Sequence, residues 1–538
     1  MWKIRSQPSR VAPASRPQGV VGQAKHRLFS PFQRFPPRHL WVQGGLLAGV
    51  GVLLGLSLAP APTGWMAWGA IAPLWTSTVA VPTRKQAAFL GGCWGIGYHG
   101  AALFWLFGLH PLTWLGMPWV ASLTVTTLAW GVATLWGACL PMVWAASLRW
   151  IGPALGNFSR IAIGTALWCG LEWLWSLSPL WWTDIANSQS PHNTSILHLS
   201  QLSGPIAITL ALASVNGAVA EAWLSRQRKF LGVAIALCLA FHGLGWKLAQ
   251  APLASQPAER LSIGMIQGNI PTRFKLSSAG IDQSIETYRQ GYETLAAQKV
   301  DAVLLPEGAL PWLWGQSFGQ ERALVAAVRA AKVPLWAGTF VPKGEGYTQS
   351  LLSLGASGEV LSQYDKAKLV PLGEYLPFES VLAPILRRLS PLRMGMVAGS
   401  SHQVFETPFG RAIVGICYDS VFPELFRAQA AAGGQFILSI ANNDPYSDRM
   451  MAQHHALDVM RAIESDRWLV RVTNTGLSAT IDPRGRTLWK SAIDEHVTHV
   501  AAIERRRTQT LYVRFGNWML PAIVFGSIGI AWKMRIDA

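Results

Sequence analysis

The stretch Ala412-Ile413-Val414-Gly415-Ile416-Cys417-Tyr418-Asp419 decides how the polar half of this chain is read. A short apolar run of strand character ends on a cysteine, at the kind of position where α/β sheets carry their ligands. Cys417 is the only cysteine between residues 255 and 512, whereas Cys93, Cys139, Cys169 and Cys238 lie inside long apolar segments. There cysteine behaves as a small buried hydrophobe. The placement makes Cys417 a candidate nucleophile, and a lone cysteine excludes a disulfide within that half. No paired CxxC spacing suggests a metal, and His454 and His455 read as ordinary helix-surface residues.

Outward from Cys417, strand-like runs at 261–267, 302–306, 334–340, 350–354, 412–417, 435–440 and 468–473 alternate with helical stretches at 281–298, 320–331, 423–432 and 450–466. That alternation predicts an α/β fold without internal repeats. Two further residues lie where they could serve a thiol: Glu307 follows Val303-Leu304-Leu305-Pro306, and Lys366 follows Tyr364-Asp365. A carboxylate can deprotonate the thiol, and an ammonium can stabilise the oxyanion of a tetrahedral intermediate. A helix starting just after Cys417 would favour the thiolate. Spacing alone also permits a solvated glutamate, a solvent-facing lysine and a core cysteine.

The other half is written for a different solvent. Mainly apolar windows near 40–60, 64–82, 87–109, 117–147, 160–182, 195–224, 229–249 and 515–534 predict eight membrane spans. The first 39 residues carry Lys3, Arg5, Arg10, Arg16, Lys25, Arg27, Arg34 and Arg38 with no acid, so the positive-inside rule puts this end in the cytoplasm. Counting onward assigns Arg84-Lys85, Arg149 with Arg160, Arg226 to Lys229, and Lys533 with Arg535 to the same side, and residues 255–512 to the other. Arg505-Arg506-Arg507 and Arg514 fall on the far side, where anionic headgroups are their expected partners. A formal charge of +17 therefore reflects basic residues flanking spans and does not argue for nucleic acid. The 27 tryptophans fit helix packing and the headgroup boundary, with Trp181, Trp182 and Trp518 near span ends.

Five motifs now combine: Gln267-Gly268-Asn269-Ile270-Pro271, Pro306-Glu307, the run 366–377, Ile416-Cys417-Tyr418 and Asn474-Thr475-Gly476. Together they resemble the apolipoprotein N-acyltransferases, integral membrane members of the nitrilase superfamily, over nearly all the chain after residue 40. The resemblance implies a multi-span α-helical membrane domain plus an α/β nitrilase-like (α-β-β-α sandwich) extracytoplasmic domain. It divides the chain into a basic cytoplasmic tail (1–39), a seven-span region (40–250), the nitrilase-like domain (258–512), and an eighth span with a short cytoplasmic tail (513–538).

It also implies Glu307 as general base, Lys366 as oxyanion stabiliser and Cys417 as nucleophile, supported by Glu374, Tyr418 and Asp419. The implied reaction moves an acyl chain from a phospholipid, through a cysteine thioester, to the α-amino group of a diacylglyceryl-prolipoprotein, without cofactor or metal. The implied place is the bacterial inner membrane, with the catalytic domain on the periplasmic side. A membrane-tethered nitrilase-type amidase is the alternative, and a non-catalytic scaffold a more distant one. Two departures stand out: Asp419 replaces the family's usual glutamate, and Asn442-Asn443-Asp444-Pro445-Tyr446-Ser447-Asp448 lacks the common Trp-Phe-Gly stretch. The latter loop is expected at the acyl entrance. Apolar residues at 377–386, with Met394, Met396 and Val397, suit either the bilayer surface or packing within the domain.

Overall fold

The computed structural model describes residues 37–250, 260–316, 318–375, 395–444 and 446–536. The basic tail through residue 36, residues 377–386 and Met394 therefore lie outside the described residues.

Strict alternation along the strands builds the polar half. In the strand Gly410–Ile416, Ala412, Val414 and Ile416 enter a core between two sheets, while Ile413 packs on the opposite face. The strands are β1 (Arg260–Gln267), β2 (Ala302–Leu304), β3 (Leu335–Lys343), β4 (Gly346–Leu354), β5 (Val360–Asp365), β6 (Phe405–Thr407), β7 (Gly410–Ile416), β8 (Phe436–Ala441), β9 (Leu469–Thr473), β10 (Ala479–Ile481), β11 (Thr487–Lys490) and β12 (Val497–Glu504). They form two six-stranded sheets, ordered β12-β1-β2-β3-β4-β5 and β11-β10-β9-β8-β7-β6. The helices Ser278–Ala297 and Phe318–Ala331 cover the first sheet, and Pro423–Ala431 and Asp448–Ser465 cover the second. This is the expected α-β-β-α sandwich. β7, β8 and β9 run parallel, as do β1, β2 and β3, so their carboxyl ends bring Cys417, Asn442 and Glu307 to one edge.

Among the described residues, four helices are long and apolar enough to cross a membrane by length and composition: His39–Leu56, Trp119–Ala154, Pro205–Ser225 and Arg228–Ala249. Arg84–Ala102 and Asn157–Ser176 have 19 and 20 residues, and Met519–Ile536 has 18. The expected span at 64–82 is not one helix. It is the short turn Gly64–Trp68 followed by the nine-residue helix Ala72–Ala80. At 1.5 Å per residue that helix covers about 14 Å, half of a ~30 Å hydrocarbon core. Gly64 and Gly69 disfavour a continuous helix, and Pro73 fits only the first turn of a new one.

The chain nevertheless recrosses the helical layer there. Gly51 lies against Trp94 and Tyr98, and Gly55 against Tyr98 and Ala101, so helices Pro37–Leu56 and Arg84–Ala102 run parallel. A connection between parallel neighbours must return across the layer. The next pairs are antiparallel, as shown by Gly91 on Pro141 with Gly100 on Trp130, and by Arg160 on Glu221 with Thr209 on Glu172. One end of the bundle consequently gathers short-loop basic groups: Arg149 donates to Pro82 O, Arg84 lies over Trp150, and Arg160 pairs with Glu221. The α/β domain docks at the other end, where Arg449 donates to Gly55 O and Gln453 to Ala102 O.

Three expectations change. Trp181 and Trp182 are buried against the α/β domain, so they serve the junction and not a headgroup boundary. Arg506 is buried and paired with Asp466, and Arg505 donates to Phe409 O, so these two hold the domain together and are not left for lipid headgroups. His454 and His455 are buried, because helix Asp448–Ser465 is sandwiched between its sheet and the helical bundle.

Candidate active site

Cys417 follows β7 in a left-handed backbone conformation, φ +50°, and opens the single short turn Cys417–Val421. A non-glycine residue there is strained by about 1–2 kcal/mol. Asp419 holds the turn in place. Its Oδ2 accepts from Ile416 N at 3.1 Å and Tyr364 Oη at 3.3 Å, and its Oδ1 accepts from Lys368 N at 2.8 Å. One buried carboxylate thus ties the Cys417 turn to the loop that carries Lys366. Burial pushes its pKa from the ordinary 3.8 up to about 6, opposed by the Ile416 N–H and the Lys366 charge.

Glu307 follows β2 and Pro306. Gly338 on β3 permits its approach, since a Cβ there would sit 2.0 Å from Pro306 O and 3.1 Å from Glu307 Cα. Glu307 Oε1 accepts from Lys366 Nζ at 2.8 Å, and Oε2 from Asn442 N at 2.6 Å. Lys366 also bonds Glu374 Oε1, whose other oxygen accepts from Val370 N at 2.9 Å. Burial works against the Lys366 ammonium, yet Glu307 and Glu374 outweigh it and hold the group above the ordinary lysine range. Burial pushes Glu374 up; Lys366 pulls against that, and Glu307 adds to it.

The thiol responds to these same charges. Burial, then the Glu307 carboxylate, pushes Cys417 well above the ordinary thiol range, and Lys366 offsets this only in part. The expectation of a helix-stabilised thiolate is corrected: the cysteine rests as a thiol in a desolvated pocket and needs a base to react. The structure thus brings the buried Glu307, Lys366 and Cys417 and the partly buried Glu374 into one cluster.

An apolar cavity of about 330 Å³ opens beside Cys417. Its wall joins both halves of the chain: Trp105, Leu112, Met117, Ala129 and Trp182 from the helical part, and Val370 to Gly373, Tyr418 and Tyr446 from the α/β domain. Tyr418 Oη faces the carbonyls of Pro179 and Trp181 at 2.8 and 2.9 Å, and its ring stacks on Trp182. Tyr418 therefore docks the Cys417 turn onto the helical part. Tyr446, from the divergent loop, packs edge-on against Trp105. A cysteine in the wall of an apolar cavity, with an ion-paired carboxylate nearby and apolar helices opposite, is suited to acyl chemistry on a lipid.

Two family models match the chain: Apolipoprotein N-acyltransferase N-terminal domain over residues 50–218, and Carbon-nitrogen hydrolase over residues 262–512. An apolipoprotein N-acyltransferase of Nostoc sp. (strain PCC 7120) is 50% identical over 491 residues, covering 90% of this chain and 97% of the relative. The chain belongs to the apolipoprotein N-acyltransferase family. Another family member, from Synechocystis sp. (strain PCC 6803), is 43% identical over 514 residues, covering 89% of this chain and 99% of that one. Among solved structures, the carbon-nitrogen hydrolase from Helicobacter pylori G27 aligns with a TM-score of 0.38 and 16% identity, covering 48% of this chain and 95% of that chain.

For this acyltransferase-family chain, several site neighbours escaped the sequence reading. Asn442 supplies an N–H to Glu307, and its side chain joins Thr272 and Asn474. Asn443 bridges His454 Nδ1 and Arg471, which pairs with Asp458 at 2.5 Å. The available signal was Asn442-Asn443 directly after the apolar strand at 435–440, the same strand-end logic that selected Cys417. Burial lowers His454 and His455 to about 3, so both are neutral.

Proposed function

We propose that this membrane enzyme transfers an acyl chain from a phospholipid to the N-terminal α-amino group of the S-diacylglyceryl-cysteine of a lipoprotein. The observation that carries the reading is Cys417 in the wall of an apolar cavity built jointly by the helical and α/β parts, beside the Glu307–Lys366–Glu374 cluster. In the first half-reaction Glu307 accepts the Cys417 proton as the sulfur attacks the ester carbonyl, and the Lys366 ammonium donates to the oxyanion. Collapse expels the glycerol oxygen, which takes the proton back from Glu307, leaving a thioester and a lysophospholipid. In the second, the lipoprotein amine attacks the thioester, Glu307 accepts the amine proton, and the departing sulfur is reprotonated. Lys366 serves both oxyanions.

Residues 40–250 act as the membrane region and 258–512 as the catalytic domain, preceded by a basic cytoplasmic tail at 1–39 and followed by a last span at 513–538. The bundle end that gathers Arg84, Arg149 and Arg160 supports a cytoplasmic assignment for that end, hence a periplasmic catalytic domain in a bacterial inner membrane. Cysteines introduced at Gln227 and, near Gly346, at the exposed Glu345 test this with an impermeant thiol reagent in cells with permeabilised outer membranes: the site near Gly346 labels and Gln227 does not. The reverse pattern would place the site in the cytoplasm.

Intact mass spectrometry of the protein incubated with phospholipid tests the chemistry. One acyl addition, absent in Cys417→Ala and discharged by a diacylglyceryl-peptide acceptor, is the expected result. Ammonia release from small amides without acyl transfer to that acceptor would favour the amidase alternative.

A further inference from the structure

A chain of buried polar side chains behind the Cys417 turn ends on His454 and fixes which of its ring nitrogens carries the proton. Ser439 Oγ and Arg471 Nη1 both donate to Asp458 Oδ2, at 2.7 and 2.5 Å, which holds the guanidinium in place. Arg471 Nε donates to Leu477 O at 2.9 Å, and Nη2 donates to Asn443 Oδ1 at 3.0 Å. A guanidinium only donates, so the Asn443 atom that meets it is the oxygen, and the amide nitrogen faces His454 Nδ1 at 3.1 Å. That amide nitrogen only donates, so Nδ1 is the accepting nitrogen. Burial keeps the imidazole neutral, and its single proton therefore sits on Nε2.

This N–H is a donor without an acceptor. His454 is 0% exposed, and its Nε2 has no hydrogen-bond partner among the described residues. The ring lies by the Cys417 turn: the Cys417 backbone carbonyl favours a proton on the ring, although no hydrogen bond to Nε2 is completed, and both residues line the same apolar cavity. Trp182, in that wall too, packs edge-on with its ring centroid 6.2 Å from that of His454. A buried donor left unpaired is unfavourable, and here its direction is fixed by side chains from β8, β9 and the loop after β8. An acyl chain is hydrocarbon except at its ester, so the acceptor it brings to this wall is the carbonyl oxygen that must sit at Cys417.

We propose that His454 is a further catalytic residue for acyl transfer, its Nε2–H donating to the carbonyl oxygen of the acyl group at Cys417, first in the phospholipid ester and then in the thioester. This rests on Cys417 forming an acyl-enzyme. The proton stays on Nε2 throughout, so the ring is a fixed donor that complements the Lys366 ammonium and is neither an acid nor a base.

The test is single-turnover acylation of Cys417, followed by intact mass with the full-length protein in detergent micelles and phosphatidylethanolamine isotope-labelled at its ester carbonyls, and then the infrared spectrum of the acyl-enzyme. His454→Gln carries an amide nitrogen near the Nε2 position and His454→Asn carries one near Nδ1, while both withdraw the ring acceptor from Asn443. Loss of an oxyanion donor costs about 10² to 10³ in rate, so His454→Asn and His454→Phe should slow acylation by about 10² or more, and His454→Gln should keep most of the rate. The labelled thioester carbonyl should absorb at higher frequency in His454→Asn than in the unmodified and His454→Gln proteins, because losing a donor strengthens the C=O bond. Equal slowing in the glutamine and asparagine variants, or one carbonyl frequency in both, assigns the histidine to packing and overturns the role; that pair decides the matter even if the phenylalanine variant does not fold. A folded His454→Phe at the unmodified rate overturns it too. Failure of the unmodified chain to take up an acyl group removes the Cys417 reading and the His454 role together, whereas the outcomes above remove the His454 role alone.

Discussion

Replacing Lys366 by methionine should disable two functions together. Its ammonium bonds Glu307 and Glu374 and lies within the field of Cys417, and the side chain is 1% exposed. Methionine keeps most of the volume but leaves two carboxyls in a desolvated pocket with no cation between them. Two such groups cannot both remain ionised, so the pair takes up a proton and the base is blunted. Loss of an oxyanion donor costs about 10² to 10³ in rate. Loss of a positioned base costs about 10² to 10⁴. Lys366→Met should therefore slow Cys417 acylation by about 10⁴ or more, and adding Glu307→Gln should change little, because groups acting as a unit are non-additive. The assay is single-turnover acylation by phospholipid in the two single variants and the double, with alkylation of Cys417 in denaturant as a control for an intact thiol. A double variant that shows the full product of the two single losses would refute the coupling argument, and a Lys366→Met variant at the unmodified rate would remove the lysine from the site.

Three further outcomes are expected. Because burial and Glu307 push the Cys417 thiol up, iodoacetamide should alkylate the native protein slowly at pH 7, and faster as pH rises above 9; rapid alkylation at pH 7 would mean a resting thiolate. Asp419 has its pKa raised by burial to about 6, so the fold binds this proton more tightly than the unfolded chain does. Its contribution to stability is complete below the unfolded value near 3.8, falls by roughly 3 kcal/mol as pH rises to about 6, and is flat above. Asp419→Asn should flatten that part of the unfolding-temperature profile between pH 4 and 6, and a profile parallel to the original would contradict it. Finally, Ala129→Phe fills part of the apolar cavity and should slow acylation by long-chain donors more than by short-chain ones, since each excluded methylene forfeits about 0.8 kcal/mol. Equal slowing for both chain lengths would place the acyl chain elsewhere.

Local pattern was enough to find the strands at 261–267, 412–417, 435–440 and 468–473, because their burial is set by period-2 alternation and apolar runs. It also singled out Glu307, Lys366 and Cys417 as candidates, since they sit at or near the ends of such runs, while their roles came only with the family resemblance. The strands β5, β6, β10 and β11 escaped because they are short or half-polar, and β12 because its partner β1 lies more than 200 residues away. The broken crossing between Leu56 and Arg84 was equally illegible, since hydropathy counts apolar residues but does not register that Pro60 and Pro62 stop one helix and Pro73 starts another.

By itself, the sequence determined that a membrane-embedded half adjoins an α/β half and which side chains could do chemistry there. Periodicity, apolar length and strand ends are properties of neighbouring residues. Only the tertiary structure decided how those side chains behave. The thiol is held neutral, Asp419 serves as a brace between two loops, and Tyr418 docks the turn on the helical part. Each depends on desolvation and on charges brought together from segments tens to hundreds of residues apart, and neither quantity exists until the chain is folded.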